Sequence, residues 1–254
     1  MSAAHAPDGG RLPSFFHPHR FECLTSTSDE AKRLAAAGAP EGTLVQALRQ
    51  TGGRGRRGRQ WQSPEGNLYV SVVLRPGCAA PAAAQLSFAA AVALAEALAA
   101  WLAPERIGLK WPNDVLADDA KLAGILAESA NGADGRVAWL VLGIGVNLAR
   151  HPDGLAYPAT SLRALGCGEV SAEAMLHALA PALSDWYRRW RETGFQPVRE
   201  AWLARATGLH RPVRARSAEG CIEGRFVDLD ASGAMLVVDR AGERRRIEAG
   251  EVRF

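Results

Sequence analysis

A run of four arginines and three glycines at residues 53–59 separates two segments that are typical of β-strands. Residues 43–50 alternate between apolar and polar side chains, and residues 68–74 are mostly apolar. Because a strand lies on each side, the run predicts a long loop between two antiparallel strands. Glycine lets the backbone approach a ligand closely, and arginine fits carboxylate or phosphate oxygens. We therefore predict a loop, called the arginine loop (residues 53–59), that closes over an anionic ligand.

Other interpretations of the same run have to be weighed. A solvated basic loop or a nucleic-acid-binding patch has a similar composition. Gly53, Gly55 and Gly58 also satisfy the GxGxxG pattern of dinucleotide-binding folds, which needs a helix directly after it. Residues 60–67 have the composition of a turn, so a dinucleotide site is excluded. Trp61, in that turn, provides an aromatic face on which a flat ring can stack.

The bulk composition is that of a soluble globular chain. Of 254 residues, 48% are hydrophobic and 22% are charged, which is enough apolar material for one large domain with or without a smaller one. The net charge of +3 is smaller than the charge of the arginine loop alone. The chain as a whole is therefore not a polycation.

No secretory, membrane or zinc-binding pattern stands out. The first 20 residues lack the apolar core of a secretory signal. The alanine-rich run 82–103 contains Gln85 and Glu96, and it predicts a buried helix rather than a membrane span. The cysteines, which have no zinc or redox spacing and indicate a reduced cytoplasmic protein, are Cys23, Cys78, Cys167 and Cys221.

Three segments are predicted along the chain. Residues 1–20 are rich in glycine, proline and histidine, and we expect a disordered tail. Residues 21–208 mix helical and strand patterns, begin with a strand over 21–24, and are expected to form the larger domain. From 209 to 254 short strands alternate with tight turns, which indicates a small β-barrel.

Within the larger domain, local patterns predict particular elements. Thr27 and Glu30 fit a capping box for a helix over 28–37. Residues 121–128 fit a helix or a strand by periodicity, and an internal glycine favours the strand. The apolar run 136–148 predicts a strand that is buried on both faces.

Three short stretches carry side chains suited to chemistry. Residues 110–114, KWPND, place a cation, an aromatic ring, an amide and a carboxylate on one turn, although an ordinary Asn-Asp turn has the same sequence. Lys121 is the one lysine of an apolar run, either a cation for a bound anion or a charge at a strand end. Residues 143–147, GIGVN, end the apolar strand with glycines that permit close approach of a ligand or of another backbone.

In this order and spacing, the stretches resemble the biotin protein ligases, the biotin–[acetyl-CoA-carboxylase] ligase family. The resemblance covers about residues 21–254, and the arginine loop and KWPND are its distinctive parts. Ser28 stands where the family usually has asparagine. Arg253 lies near a family arginine that reaches the nucleotide, and it is not assigned that role. The resembling parts are Ser26-Thr27, Gln50, GRGRRGR with Trp61, KWPNDVL at 110–116, KLAGIL at 121–126 and GIGVN at 143–147.

The resemblance implies an α/β (α+β) fold: a class-II-synthetase-like ligase domain with a mixed sheet over 21–208, and an SH3-like barrel over 209–254. It implies a reaction in two steps. ATP and biotin, with Mg²⁺, form biotinyl-5′-AMP and pyrophosphate. The ε-amine of one lysine on a biotin carboxyl carrier protein domain then takes the biotin. We expect a cytoplasmic monomer or weak homodimer that needs no membrane.

The resemblance also implies a role for each matching residue. Lys121 and Arg56 are expected to be catalytic, at the reacting carboxylate and phosphate, and Asp114 is the residue considered for magnesium. The residues expected around biotin are Ser26, Thr27, Gln50, Gly53, Arg54, Arg56, Lys121 and Gly124. The residues expected around ATP and the adenylate are Arg56, Arg57, Trp61, Lys110, Asn113, Asp114 and Asn147.

Two other functions stay open at this point. A lipoate ligase or octanoyltransferase shares the fold, although KWPND and the arginine loop favour biotin. A nucleic-acid-binding module would use the arginine loop together with residues 244–246. A sequence-specific DNA-binding form is not expected, because about 20 residues rich in proline and glycine precede the first expected strand, too few for a helix-turn-helix unit. We therefore expect the form that lacks that domain, with no specific DNA partner.

Overall fold

The computed structural model describes residues 11–154, 157–217 and 220–254. Within these residues the chain forms twelve β-strands and five α-helices, numbered in chain order. The strands are β1 His17–Leu24, β2 Thr43–Gln50, β3 Leu68–Leu74, β4 Ile107–Lys110, β5 Asp114–Ala117, β6 Ala120–Asn131, β7 Val137–Val146, β8 Pro212–Ser217, β9 Gly220–Leu229, β10 Met235–Asp239, β11 Arg244–Ile247 and β12 Glu251–Arg253. The helices are α1 Thr27–Ala36, α2 Ala80–Ala84, α3 Leu86–Leu98, α4 Ala172–Thr193 and α5 Gln196–Leu203.

Seven strands form one mixed sheet in the order β1-β2-β3-β7-β6-β5-β4. β1 and β2 run parallel, and every other pair of neighbours is antiparallel. The predicted antiparallel pair on the two sides of the arginine loop is present, with Leu44 opposite Val72. The predicted mixed-sheet α/β class is confirmed.

Helices cover both faces of this sheet. Leu44 and Val72 belong to the main core with α3 and α4, whereas the next residue on each strand, Val45 and Val73, packs with α1. This division follows from the strand geometry, because successive side chains point to opposite faces. Residues 140–144 of β7 are all buried, as the apolar run predicts.

The alanine-rich run 82–103 forms the end of α2 and all of α3, and α3 lies in the core. The stretch Ala80–Leu98 has the length and hydropathy of a membrane span, and 72% of its apolar window is buried inside the protein. Its polar residues have partners there: Trp186 donates to Glu96, and Trp190 donates to Gln85, each at 2.9 Å. The run therefore packs as a core helix of this fold.

The C-terminal strands form a second, antiparallel sheet in the order β11-β10-β9-β8-β12. Its strand number and turns at 232–233 and 241–242 agree with the predicted SH3-like unit. Among the described residues, the two short edge strands do not pair with each other, so the sheet is open rather than a closed barrel. The turn expected at 218–220 lies partly outside the described residues.

The two sheets are joined near the KWPND turn. The indole Nε1 of Trp111, which is 2% exposed, donates to the carbonyl of Gly233 at 3.0 Å. The predicted boundary between residues 208 and 209 falls in the connection between α5 and β8. The division into domains stays a prediction.

The predicted N-terminal tail over residues 1–20 is too long. β1 begins at His17, four residues before the predicted strand, and Phe16 is only 5% exposed. The strand forms here because it pairs in parallel with β2, with His17 opposite Thr43. Such a distant partner leaves no local signal in a segment rich in proline and histidine. Residues 1–10 lie outside the described part of the chain.

The predicted capping box is also displaced by one residue. Ser26, not Thr27, is the N-cap of α1, and its hydroxyl accepts a hydrogen bond from the backbone N–H of Asp29 at 3.4 Å. The hydroxyl of Thr27 instead donates a hydrogen bond to the side-chain oxygen of Gln50. A tertiary contact thus decides which of two adjacent hydroxyls caps the helix.

Candidate active site

A cavity of about 490 Å³ lies between the arginine loop, β6, β7, the KWPND turn and β12. Of the fourteen residues predicted for the site, thirteen line it, and only Gly53 does not. Gly53 backs the wall: a Cβ there would lie 2.4 Å from Ser63 Oγ and 2.5 Å from the Trp61 carbonyl oxygen. The roles of the individual residues stay predictions.

One end of the cavity is built from neutral hydrogen-bonding side chains. We call it the hydroxyl end: Ser26, Thr27, Ser28 and Gln50 line the cavity, and the buried Ser71 lies behind them, in contact with Thr27 and Ser28. Thr27 donates to Gln50 Oε1 from its backbone N–H at 2.7 Å and from its hydroxyl at 3.1 Å. The three residues that precede or open α1 are between 3% and 7% exposed. Their groups are therefore ordered by the protein itself.

Glycines shape the floor between the two ends. Gly124 on β6 lies directly opposite Gly145 on β7. A Cβ at Gly124 would lie 3.1 Å from the Trp61 ring, and one at Gly145 would lie 2.7 Å from Trp61 Nε1. This pair of glycines therefore forms a seat for the indole. Trp61 thus touches the floor predicted for biotin, and its contact with adenine stays a prediction.

The other end of the cavity is the charged end, which comprises Arg56, Lys110, Asp114, Lys121 and Arg253. Lys121 Nζ lies 2.6 Å from Asp114 Oδ1 and 5.4 Å from the centre of the Trp61 ring. Its ammonium group therefore lies between the carboxylate and the aromatic seat.

Lys110 is the more deeply buried of the two lysines. Lys110 is only 7% exposed, and its Nζ lies 3.4 Å from the centre of the Tyr157 ring. Burial lowers the pKa of Lys110 to about 8, an effect that the charge of Asp114 partly opposes. Burial likewise lowers the pKa of Arg56, whose guanidinium donates to Asn113 Oδ1 at 3.3 Å.

The arginine loop contacts carboxylates at both of its ends. Arg54 forms a salt bridge with Asp29, and its guanidinium lies 3.8 Å from Glu128. Arg59 forms a salt bridge with Glu251 of β12. The repulsion that the sequence predicts among the four arginines is thus partly relieved inside the protein. Any anionic ligand has to compete with these carboxylates.

Asn147 holds the strand end rather than pointing freely into the cavity. Its Nδ2 donates to the carbonyl of Thr160 at 3.0 Å, and the residue is 2% exposed. A ligand contact would therefore fall to its Oδ1.

Several residues in the wall are not among those predicted for the site from the sequence. Arg253 and Glu251 come from the last strand, Tyr157 from an irregular segment and Tyr69 from β3. Burial raises the pKa of Tyr69 to about 12, and its hydroxyl donates to a backbone carbonyl. Only the packing of the second sheet against the first brings Arg253 here, where its positive charge adds to the lowering of the Lys110 pKa.

The residues that the structure describes form no metal site by themselves. Among the described residues, no group of three or more His, Cys, Asp or Glu side chains is arranged to hold a metal ion. Asp114 offers one carboxylate at the charged end, 20% exposed and already paired with Lys121. A single carboxylate suits a magnesium ion that takes its other ligands from substrate phosphates and water.

Comparisons with known proteins agree on one family. Residues 12–204 match the family described as "Biotin/lipoate A/B protein ligase family", and residues 208–254 match "Biotin protein ligase C terminal domain". The "Biotin--[acetyl-CoA-carboxylase] ligase" of Paracoccus denitrificans is 45% identical over 235 residues, which is 90% of this chain and 97% of that protein. The "Bifunctional ligase/repressor BirA" of Bacillus subtilis is 34% identical over 88% of this chain and 70% of its own length.

A solved structure gives the same result. The biotin protein ligase from Aquifex aeolicus, in complex with biotin and ATP, superposes with a TM-score of 0.81 at 28% sequence identity. The match covers 93% of this chain and 98% of that one. The similarity thus extends over both sheets and the cavity between them.

Proposed function

We infer the function of this chain from its family: it belongs to the biotin protein ligases of the biotin/lipoate A/B protein ligase family. It joins biotin and ATP to form biotinyl-5′-AMP and transfers the biotin to a lysine of a carboxylase carrier domain. The observation that carries this function is the cavity, in which a neutral hydrogen-bonding end meets a cationic end at Lys121.

The chemistry requires two anions to react with each other. A biotin carboxylate oxygen bonds to the α-phosphorus of ATP, the bond from that phosphorus to the bridging oxygen breaks, and pyrophosphate leaves. In the second step the carrier amine attacks the acyl carbon and AMP leaves. Fixed cations lower the barrier of the first step because they neutralise charge where it concentrates. No nucleophile from the protein is needed.

We assign Lys121 and Arg56 to the reacting carboxylate and phosphate. Lys121 Nζ lies beside the aromatic seat and is held by Asp114 at 2.6 Å, so its position is fixed before a ligand arrives. Arg56 is half-buried in the wall and donates to Asn113. Lys110 and Arg253 supply further positive charge for the phosphates.

We assign the hydroxyl end to the ring system of biotin and the floor at Gly124 to its body. The neutral, preorganised groups there suit an uncharged polar ring. The carboxylate of biotin would then extend toward Lys121. The residues that fit this placement are Ser26, Thr27, Gln50, Gly53, Arg54, Arg56, Lys121 and Gly124.

The nucleotide would occupy the remaining space, between the arginine loop, the KWPND turn and β12. The residues proposed there are Arg56, Arg57, Trp61, Lys110, Asn113, Asp114 and Asn147, with Arg253 added from the structure. Magnesium would be held by Asp114 and the phosphates of ATP, and it would neutralise charge on those phosphates.

We further propose that the enzyme acts in the cytoplasm, on a biotin carboxyl carrier protein domain, as a monomer or weak homodimer without a specific DNA partner. The arginines of residues 244–246, considered above for nucleic acid, support this proposal. Arg245 bonds Asp239 and Glu243, and Arg246 bonds Asp230 and Glu248. Much of that charge is therefore neutralised on the protein surface.

The experiment that tests the function is ATP–pyrophosphate exchange with biotin or lipoate as the acid. We expect exchange with biotin at least about a hundredfold faster, because a site built to bond N–H groups rejects a ring that lacks them. Transfer is tested by mass spectrometry of a carrier domain and of the same domain with its acceptor lysine changed to alanine. Faster exchange with lipoate, or labelling of both carriers, would contradict the proposal.

A further inference from the structure

A buried serine that no motif marks belongs to the hydroxyl end. Ser71 lies on β3, and its side chain is fully buried. Its Oγ lies 2.8 Å from Thr27 Oγ1 and 3.1 Å from Ser28 Oγ. Since Thr27 also bonds Gln50, these four side chains form one continuous chain of hydrogen bonds.

A backbone group fixes the direction of this chain. The backbone N–H of Thr27 can only donate, so the amide atom of Gln50 at 2.7 Å from it is the oxygen. The Thr27 hydroxyl, 3.1 Å from the same oxygen, therefore donates its single proton to Gln50. With that proton used, Ser71 has to donate to Thr27, and Ser28 has to donate to Ser71.

The other end of the chain requires the same direction. Gln50 Nε2 donates to Ser63 Oγ at 2.9 Å, and Ser63 donates to the backbone carbonyl of Trp61 at 2.9 Å. A carbonyl can only accept, so the two backbone ends agree. Gly143 makes room for the last hydroxyl, because a Cβ there would lie 2.7 Å from Ser28 Oγ.

We propose that Ser71 is a positioning residue that makes Ser28 and Thr27 present only acceptor lone pairs to the cavity, so that this end selects N–H groups of a cyclic urea. The hydroxyl protons of Thr27, Ser71 and Ser28 all point to acceptors inside the protein. Only oxygen lone pairs of Thr27 and Ser28 therefore face the cavity. The urea ring of biotin has two N–H donors, whereas the dithiolane of lipoate has none. This inference rests on the proposed function and names the groups that give its specificity.

The first test removes the link. In Ser71→Ala the Ser28 hydroxyl loses its acceptor and rotates freely, so we expect the KM for biotin to rise about tenfold. The KM for ATP should stay within about twofold, since the charged end is unchanged. Ser71→Thr keeps the hydroxyl on a strand and should restore most of the affinity. The matched control is Thr43→Val, which removes another fully buried hydroxyl, one that donates to a backbone carbonyl away from the cavity.

The second test addresses direction rather than affinity. The probes are two biotin analogues in which one or the other urea N–H is replaced by oxygen, giving cyclic carbamates. The wild-type protein should reject the analogue whose oxygen faces Ser28 by about a hundredfold or more, because two acceptors then meet. In Ser71→Ala that hydroxyl can donate, so the rejection should shrink to about tenfold or less.

The outcomes of these tests distinguish a failure of the proposed biotin-ligase function from a failure of the proposed role of Ser71. Wild-type exchange that needs no biotin would overturn the function. Wild-type exchange with biotin, together with Ser71→Ala behaving like Thr43→Val toward biotin and both carbamates, would overturn the inference alone. If Ser71→Ala does not fold, as judged by its thermal midpoint, Ser28→Ala provides the same comparison. Because Ser28→Ala removes the hydroxyl that faces the analogue, discrimination against that carbamate should decrease. Unchanged discrimination would contradict the proposed role of Ser28 and Ser71.

Discussion

The two ends of the cavity hold their polar groups in different ways. At the hydroxyl end, Ser26, Thr27 and Ser28 are at most 7% exposed. Neutral hydrogen bonds link the side chains of Thr27, Ser28, Gln50 and Ser71. At the charged end, the side chains of Lys121 and Asp114 are 26% and 20% exposed and are paired with each other. The first end is complete without a ligand. The second is held by internal counter-ions that a nucleotide has to replace.

This difference follows from the cost of burial. A neutral hydroxyl can be buried when its hydrogen bonds are made, whereas a buried charge needs a partner of opposite sign. The charged end therefore keeps Asp114 beside Lys121, and the neighbouring arginine loop is paired with Asp29 and Glu251. We expect variants at the charged end to change the rate of the reaction and variants at the other end to change affinity for biotin.

The largest effect is expected from Lys121→Ala. A cation at the reacting carboxylate and phosphate acts mainly in the transition state, so biotin-dependent pyrophosphate exchange should fall by about 10²- to 10³-fold in kcat. The thermal midpoint should change little, because the Lys121–Asp114 pair is partly exposed. Lys32→Ala, which removes a lysine outside the cavity wall, is the control. Near-normal exchange in folded Lys121→Ala protein would remove this residue from the mechanism.

A smaller effect, on binding, is expected from Gly145→Ala. The new Cβ would lie 2.7 Å from Trp61 Nε1, so the indole has to leave its seat. Overpacking of this kind typically costs about 1–3 kcal/mol, which corresponds to a rise of about 5- to 150-fold in the KM for biotin. Gly55→Ala is the control, since its Cβ would meet only ordinary contacts at 3.6 Å. Equal KM values for the two variants would show that the seat is not part of the site.

The pH dependence of kcat/KM for ATP should follow the loss of the proton from Lys110. Its pKa of about 8 in the ligand-free protein means that the cation is lost as pH rises through 8, so kcat/KM for ATP should fall above that pH by about tenfold per unit. Lys110→Arg should abolish the fall, because arginine stays charged. Since the unfolded chain binds this proton up to about pH 10.4, the contribution of Lys110 to folding stability increases between pH 8 and that value. A pH profile that is the same in Lys110→Arg would assign the fall to another group.

How far the sequence predicts this site depends on how local each signal is. The bounds of β2 and β3 follow from alternation and apolar runs, and they are as expected. The predicted start of β1 at residue 21 and the predicted cap at Thr27 were wrong, because distant partners, β2 and Gln50, decide these two features. The same holds for the roles of Ser71 and Arg253. Ser71 lies in no motif and contacts Thr27 from the distant strand β3, and Arg253, left unassigned from the sequence, lines the cavity only because the second sheet packs against the first.

Limited proteolysis should give a more modest change. Trypsin should cut the ligand-free protein within the arginine loop, first after Arg57, which is exposed and lies in the middle of the short turn Arg56–Gly58. Biotin with ATP should slow this cleavage several-fold, whereas biotin alone should do less because it leaves the charged end empty. Equal rates in all three states would argue that the loop does not close on the nucleotide.

The smallest effect is expected with DNA. Binding should be weak, salt-sensitive and independent of sequence, because Arg245 and Arg246 are already paired with carboxylates. A gel shift near physiological salt, with biotin and ATP present, should show no preference for the protein's own promoter over random DNA. A footprint on one palindromic site would overturn the proposal of no specific DNA partner.

Hydrogen exchange of backbone amides, in the free protein, with biotin, and with biotin plus ATP, tests the contrast between the two ends most directly. We expect amides in β2, β3 and the first turn of α1 to be protected in the free protein and to change by no more than a few-fold. Amides of residues 53–60 should exchange fast until both ligands are present, and should then slow by at least about tenfold. The account is contradicted if the hydroxyl end becomes protected only with ligand, or if the arginine loop is equally protected in all three states.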